Sequence, residues 1–231
     1  MPLISTFAGG STQGFRSGKR GGEPPGSSTI NAESYGTVYQ PNGYLTVTVT
    51  LYGTSGGKGM YDSAGTNQYN AANGVTGGGT RVVATNVPVS GLKIYTSDST
   101  GTRSNFNVSL YGGGYGGGAS YPYRGGAGGA ATIAVNTGNS VILVAGGGGG
   151  DGHSYFNGEG GGSAGSGTVG GAGTNGGCYY GGGGGGGGIV GGAGAQRRYT
   201  GIAGTSTTAN ASVTVTANNR FGKGYAVISW G

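Results

Sequence analysis

Gly181-Gly-Gly-Gly-Gly-Gly-Gly-Gly188 is an unbroken run of eight glycines, and how it is read governs the sequence on either side. Glycine loses more backbone freedom on ordering than any other residue, so the run taken alone predicts a loose tether. One ordered state offsets that loss. In an extended left-handed helix with three residues per turn, the polyglycine II form, every N–H and C=O points outward. With no Cβ on any face, several such helices can lie side by side and hydrogen-bond to their neighbours. At about 3.1 Å per residue the octaglycine would span about 25 Å. Further runs occur at 112–118, broken by Tyr115, at Gly146–Gly150 and across 160–177, where Val169 apart only Ala, Ser, Thr and Asn interrupt.

Around these runs the period becomes two. Tyr44-Leu-Thr-Val-Thr-Val-Thr-Leu-Tyr52 alternates Thr with Val or Leu and predicts a half-buried strand after the turn Gln40-Pro-Asn-Gly43. Strands are also predicted at 80–84, 92–95, 105–111, 130–135 and 141–144, the last two joined by Asn136-Thr-Gly-Asn139 as a hairpin turn. Ser212–Thr216 and Gly224–Trp230 read as a closing pair. Val49-Thr-Leu-Tyr52-Gly53 and Val108-Ser-Leu-Tyr111-Gly112 each run from strand straight into glycine, as does Val144-Ala-Gly146. No segment has a helical period. The expected fold is therefore all-β with polyglycine II helices: a small β-sandwich-like strand set fused to a packed bundle of glycine-rich left-handed helices. Gly146, Gly148, Gly181, Gly184 and Gly188 would lie in the glycine core.

Composition narrows the class. Glycine makes up 64 of 231 residues against an average of roughly 7 %, and this alone suggests low-complexity disorder. Sixteen tyrosines argue against it, because disordered chains are poor in aromatics. Collagen is excluded, since the glycines come in blocks and proline is scarce. The single cysteine, Cys178, allows no internal disulfide and reads as a small buried apolar residue. The +6 net charge favours weak attraction to anionic surfaces, but the bases are scattered, so no nucleic-acid partner is expected. The first ten residues lack the basic and apolar parts of a signal peptide. The longest aliphatic run, Val141–Ala145, falls far short of the ~20 residues of a membrane span, and no membrane insertion is expected. Residues 1–30, with Phe7, Phe15 and Arg16 among Gly, Ser and Pro, read as an extended N-terminal docking arm. Residues 31–231 read as one glycine-rich β/polyglycine domain.

Groups for catalysis are scarce. One His, one Cys and six carboxylates are the whole supply. Asp151, His153 and Glu159 form the one cluster of acid and imidazole, read as a solvated loop tip rather than a metal site. Matches to Gly-x-Gly-x-x-Gly arise by chance in such a chain, and none continues as Gly-Lys-Ser/Thr. No enzyme activity, cofactor or metal is expected. The insertions between runs say more. Tyr121, Tyr123, Arg124, Tyr155, Phe156, Arg197, Arg198 and Tyr199 belong to segments rich in Tyr, Arg, Asn and Ser, the vocabulary of binding loops. These rings would either contact a ligand or cover the sides of a glycine core that has no side chains of its own.

Strand-Leu-Tyr-Gly-glycine, Val-Ala-Gly146–Gly150, the octaglycine and the final Gly224-Tyr-Ala-Val-Ile-Ser-Trp-Gly231 resemble the glycine-rich domains of bacteriophage tail-fibre and fibre-tip proteins. A related pattern occurs in the glycine-rich region of the anaplastic lymphoma kinase receptors, whose disulfides this chain cannot form. Phe7-Ala-Gly-Gly-Ser-Thr-Gln-Gly-Phe15 is similar to the starts of small virion proteins in phages of marine bacteria. The resemblance covers residues 38–231 by pattern and 1–16 by motif. It implies a virion protein assembled in the host cytoplasm, held to other virion proteins by its arm, and open to self-association. Its Tyr- and Arg-rich loops would contact a host surface glycan or outer-membrane protein. A capsid or tail decoration protein with no receptor fits the same pattern. An ice-binding or matrix glycine protein fits less well, because those bundles place glycine at every third position.

Overall fold

Thr46, Thr48 and Thr50 alternate with Val47, Val49 and Leu51 along one strand, and the computed structural model buries the apolar set while leaving the threonines on the outer face. The structure describes residues 22–31, 34–57, 60–61, 77–97, 101, 105–106, 111–113, 123–150, 153–154, 169–170, 172, 180–181, 185–188, 213–220 and 222–231. Among these the chain forms thirteen strands and no helix. They are β1 Gly26–Ile30, β2 Tyr35–Thr37, β3 Thr46–Tyr52, β4 Met60–Tyr61, β5 Gly79–Pro88, β6 Lys93–Tyr95 and β7 Tyr123–Arg124. After these come β8 Thr132–Val135, β9 Val141–Ala145, β10 His153–Ser154, β11 Tyr180–Gly181, β12 Val213–Arg220 and β13 Tyr225–Trp230.

Two antiparallel sheets carry the body, one of five strands in the order β1-β13-β3-β5-β12 and one of four in the order β2-β6-β8-β9. Their inner faces meet over Val47, Val49, Leu51, Val82, Ala84, Ala226 and Ile228 on one side and Ile94, Ala134, Leu143 and Ala145 on the other. Each fully buried Val, Leu or Ile gains roughly 1.5–3 kcal/mol of transfer free energy, and this holds the sheets together. The outer face of the four-stranded sheet carries a second cluster, Ala131, Ile133, Val135 and Val144, against which Tyr95, Phe106 and Tyr111 pack.

The hairpin turn expected at Asn136–Asn139 is present: Asn139 N–H donates to Asn136 O at 2.9 Å, and Asn136 Oδ1 accepts from Ser140 N. Three expectations need correction. The last two long strands are not partners, because β12 pairs with β5 at the sheet edge while β13 lies between β1 and β3. Sequence proximity suggested a hairpin, but Ile228 and Ala226 bury more by facing the core from the sheet centre. Residues 26–30, placed in the arm by their polar composition, are the edge strand β1, where one face is free to carry Ser27 and Thr29. Of the strand expected over 105–111, residues 105, 106 and 111 are not strand, and Tyr111 has φ +59°. Residues 107–110 lie outside the described residues.

Candidate functional site

Three glycine-dominated segments leave the body at one pole. Residues 53–57 continue β3 toward β4, residues 146–150 continue β9 toward β10, and residues 125–131 lead from β7 into β8. All three are buried, as are residues 185–188. Segment 146–150 is the centre of the layer. Gly148 N donates to Thr54 O at 2.8 Å, Gly148 O accepts from Gly129 N at 2.8 Å, and Gly147 N donates to Gly187 O at 2.7 Å. Gly146 O accepts from Thr80 N at 2.9 Å. Four neighbours thus surround one segment, whereas a strand in a sheet bonds to two in one plane. Every donor named here finds a carbonyl, which is the condition for burying bare backbone.

The glycines are needed for space more than for torsion. A Cβ on Gly53 would fall on Gly146 O, on Gly129 against Thr54 O, on Gly147 against Gly129 O and on Gly186 against Gly147 O. None of these four has a left-handed φ; Gly77, at +63°, does. Of the residues expected in the glycine core, Gly146, Gly148 and Gly188 are buried and Gly181 lies in β11, while Gly184 is outside the described residues.

Buried hydroxyls close the seam between body and glycine layer. Thr132 Oγ1 donates to Tyr52 O at 2.7 Å and Thr80 Oγ1 to Gly146 O at 3.0 Å. Thr54 Oγ1 accepts from Gly224 N and Ser55 Oγ from Gly222 N, both at 2.9 Å. Sequence reasoning missed these residues. Their one signal is position: Thr54 and Ser55 directly follow Leu51-Tyr52-Gly53, where the ladder stops supplying partners.

At the far ends of the glycine segments stand two short ladders. β4 pairs with β7, setting Met60 opposite Arg124 and Tyr61 opposite Tyr123. β10 pairs with β11, setting His153 opposite Gly181 and Ser154 opposite Tyr180. β7 lies against both β10 and β11, so the backbone gathers Tyr61, Tyr123, Arg124, His153 and Tyr180 into one place. Tyr121, Tyr155, Phe156, Arg197, Arg198 and Tyr199 lie outside the described residues, as do the expected docking residues Phe7, Phe15 and Arg16. Asp151, Glu159 and Cys178 do as well.

The opposite pole carries Gly22–Gly26. Trp230 Nε1 donates to Pro24 O at 2.9 Å, and the indole packs where a Cβ on Gly26 would sit. Tyr39 lies with its ring 5.9 Å from Trp230, and its hydroxyl donates to Glu23 Oε2 at 2.7 Å. That hydrogen bond to the carboxylate, helped by a little desolvation and by the negative charge itself, raises the Tyr39 pKa above its usual value. On the outer sheet face Tyr225 and Tyr52 stack at 4.3 Å, and the Arg81 guanidinium sits 5.9 Å from the Tyr52 ring.

No protein-family model matches the chain, and no curated protein matches its sequence.

Proposed function

We propose that the chain is a non-enzymatic bacteriophage virion protein of the tail-fibre or fibre-tip kind, which contacts the host cell surface through its Tyr- and Arg-rich insertions. The resemblance supplies the viral class. The observation that carries the role is the layout: glycine segments 53–57, 125–131 and 146–150 each join the β body to one of the two ladders that hold Tyr61, Tyr123, Arg124 and Tyr180. Binding surfaces work best on rigid mounts, because a preorganised loop loses little entropy on contact. Rigid rings with two torsions and adaptable Ser and Asn hydrogen bonding suit a glycan or outer-membrane protein.

We read the glycine segments as polyglycine II helices packed in a bundle. Two observations support that reading. Hydrogen bonds leave segment 146–150 toward four neighbours rather than two, as three-fold backbones require and flat ladders do not. Carbonyls of neighbouring segments also lie where Cβ atoms would stand, a spacing open only to bare backbones. Upstream of β1, residues 1–21 with Phe7, Phe15 and Arg16 would fasten the chain to another virion protein from the pole that carries Gly22, opposite the ladders.

Purified protein added to host cells before phage tests the role. Competition that lowers adsorption in proportion to bound protein supports the adhesin. Saturating protein that leaves adsorption unchanged removes it, and a copy number of hundreds per particle would then indicate decoration of the capsid or tail.

A further inference from the structure

The five-stranded sheet ends on one side in β12, which pairs with β5 and with no other strand among the described residues. A sheet edge presents a row of N–H and C=O groups that another extended backbone can satisfy, and proteins guard such edges with proline, charge, shortness or a cover. The other three edges of the two main sheets are guarded. β1 follows directly on Glu23-Pro24-Pro25. β2 is three residues long, and β9 lies against β5 and runs on into the buried segment 146–150. β12 has none of these devices. Its eight residues, Val213-Thr-Val-Thr-Ala-Asn-Asn-Arg220, contain no proline and no charge before the last.

The register with β5 fixes which way the side chains point. Val213 faces Ala84 and Val215 faces Val82, so both valines lie on the core side of the sheet. Thr214 faces Val83 and Thr216 faces Arg81, so both threonines lie on the outer side and are exposed. Val213 packs against the core, but Val215 is left 44 % exposed for want of a strand beyond it. β12 itself is suited to be that strand. Opposed residues of antiparallel strands share a face of the sheet. A two-fold axis perpendicular to the sheet at Val215 therefore sets Val215 against its counterpart in a second copy, and Thr214 against the counterpart of Thr216. Valine pairs and Thr–Thr pairs stabilise neighbouring strands, and the stretch 213–216 brings no like charges together. A segment that matches itself in this way meets the condition for a closed two-fold contact.

We propose that β12 is a self-association edge: two copies join their β12 strands antiparallel about an axis at Val215, so that their five-stranded sheets become one continuous sheet. The inference goes beyond the viral role and does not rest on it. A single strand pair is small beside the ~1,200–2,000 Å² of stable interfaces, so the dimer is weak and depends on concentration.

Sedimentation of the full-length protein over about 1–500 µM tests the proposal, with amide exchange followed at both ends of the range. The mass should rise from monomer to dimer with a dissociation constant of about 10–100 µM. Amides within 213–216 should exchange more slowly at the higher concentration, and those of β1 should not change. Val215→Lys places an edge charge at an exposed position, so it should melt within about 2 °C of the original and remain monomeric. Val215→Glu should do the same alone. Mixing the two variants should restore the dimer, because the axis puts residue 215 opposite itself and the charges become complementary. A protein still monomeric at about 500 µM overturns the proposal. So does a dimer that Val215→Lys leaves intact, or one whose slowed amides lie in β1. A chain that stays monomeric alone, but whose 213–216 amides slow when a different protein is added, pairs this edge with that protein and likewise overturns self-pairing.

Discussion

Leu51 and Gly53 lie two residues apart along one continuous stretch of chain, and both are buried. Leu51 is buried by filling space: its side chain meets those of the facing sheet, and the gain scales with apolar area removed from water. Gly53 is buried by leaving space empty: its backbone touches Gly146 and its N–H donates to Thr80 O at 2.9 Å. The body is therefore held by side chains that can be exchanged for others of like volume. At Gly53, Gly129, Gly147 and Gly186 the atoms that a Cβ would meet belong to the main chain, so no like-sized exchange exists there. The same chain uses both solutions end to end, and substitutions tell them apart.

The largest effect should come from one methyl group in the glycine layer. Gly129→Ala puts a Cβ against the carbonyls of Thr54 and Ser55, and neither can move without breaking bonds to Gly148 or to other segments. Overpacking of ordinary cores costs about 1–3 kcal/mol, and a backbone obstacle should exceed that, near 4 kcal/mol. For a chain of this length the melting temperature should fall by roughly 10 °C or more. Gly148→Val should be worse. In the unaltered protein the amides of Gly147 and Gly148 should exchange as slowly as those of β3. Exchange at the rate of a free peptide, or a Gly129→Ala protein melting within about 2 °C of the original, would break the comparison.

Leu51→Ala comes next, at about 2–5 kcal/mol, because its cavity is lined by side chains that can partly relax. Leu51→Met should cost less than about 1.5 kcal/mol. The contrast between these two sharpens the difference, since the glycine layer admits no counterpart of the second.

Much of this division was legible in the sequence. Thr-Val alternation over 46–51 announces one buried face, and Asn136–Asn139 announces the turn between β8 and β9. Those are local signals. The position of β12 was not legible, because Val213-Thr-Val-Thr216 would suit several edges and only the competition for β3 and β5 decides among them. β1 was hidden for a related reason: Ser-Ser-Thr is polar enough for a loop, and pairing with β13 alone makes it a strand. The ladder cluster is non-local as well. Tyr61, Tyr123 and Tyr180 are far apart in sequence, and the glycine segments between them carry no pattern that states where they lead. The bulge that sets Thr48 of β3 against Thr85 and Asn86 of β5 gave no sign at all, since it depends on the register of two strands rather than on either one.

A smaller effect tests the seam. Thr54→Val keeps the shape but leaves the buried Gly224 N–H without its acceptor at 2.9 Å, a loss of about 1–3 kcal/mol. Thr54→Ser, which restores the oxygen, should recover most of it. Thermal melts of the pair settle whether the hydroxyl or the methyl matters. Equal stability for Val and Ser would mean that the layer does not depend on the body for its hydrogen bonds.

The smallest expected effect is the most diagnostic control. Gly138 sits in the turn between β8 and β9, has no left-handed φ, and a Cβ there would meet nothing closer than Asn136 Oδ1 at 3.5 Å. Gly138→Ala makes the same chemical change as Gly129→Ala but into open space. It also removes conformational freedom from the unfolded chain, which stabilises a compatible site by about 0.4–1 kcal/mol. The melting temperature should stay level or rise by a degree or two. If Gly138→Ala and Gly129→Ala destabilised equally, glycine would matter through its torsional freedom at both places. The claim that buried backbone needs the missing Cβ for room would then fail, even with every hydrogen bond in the layer intact.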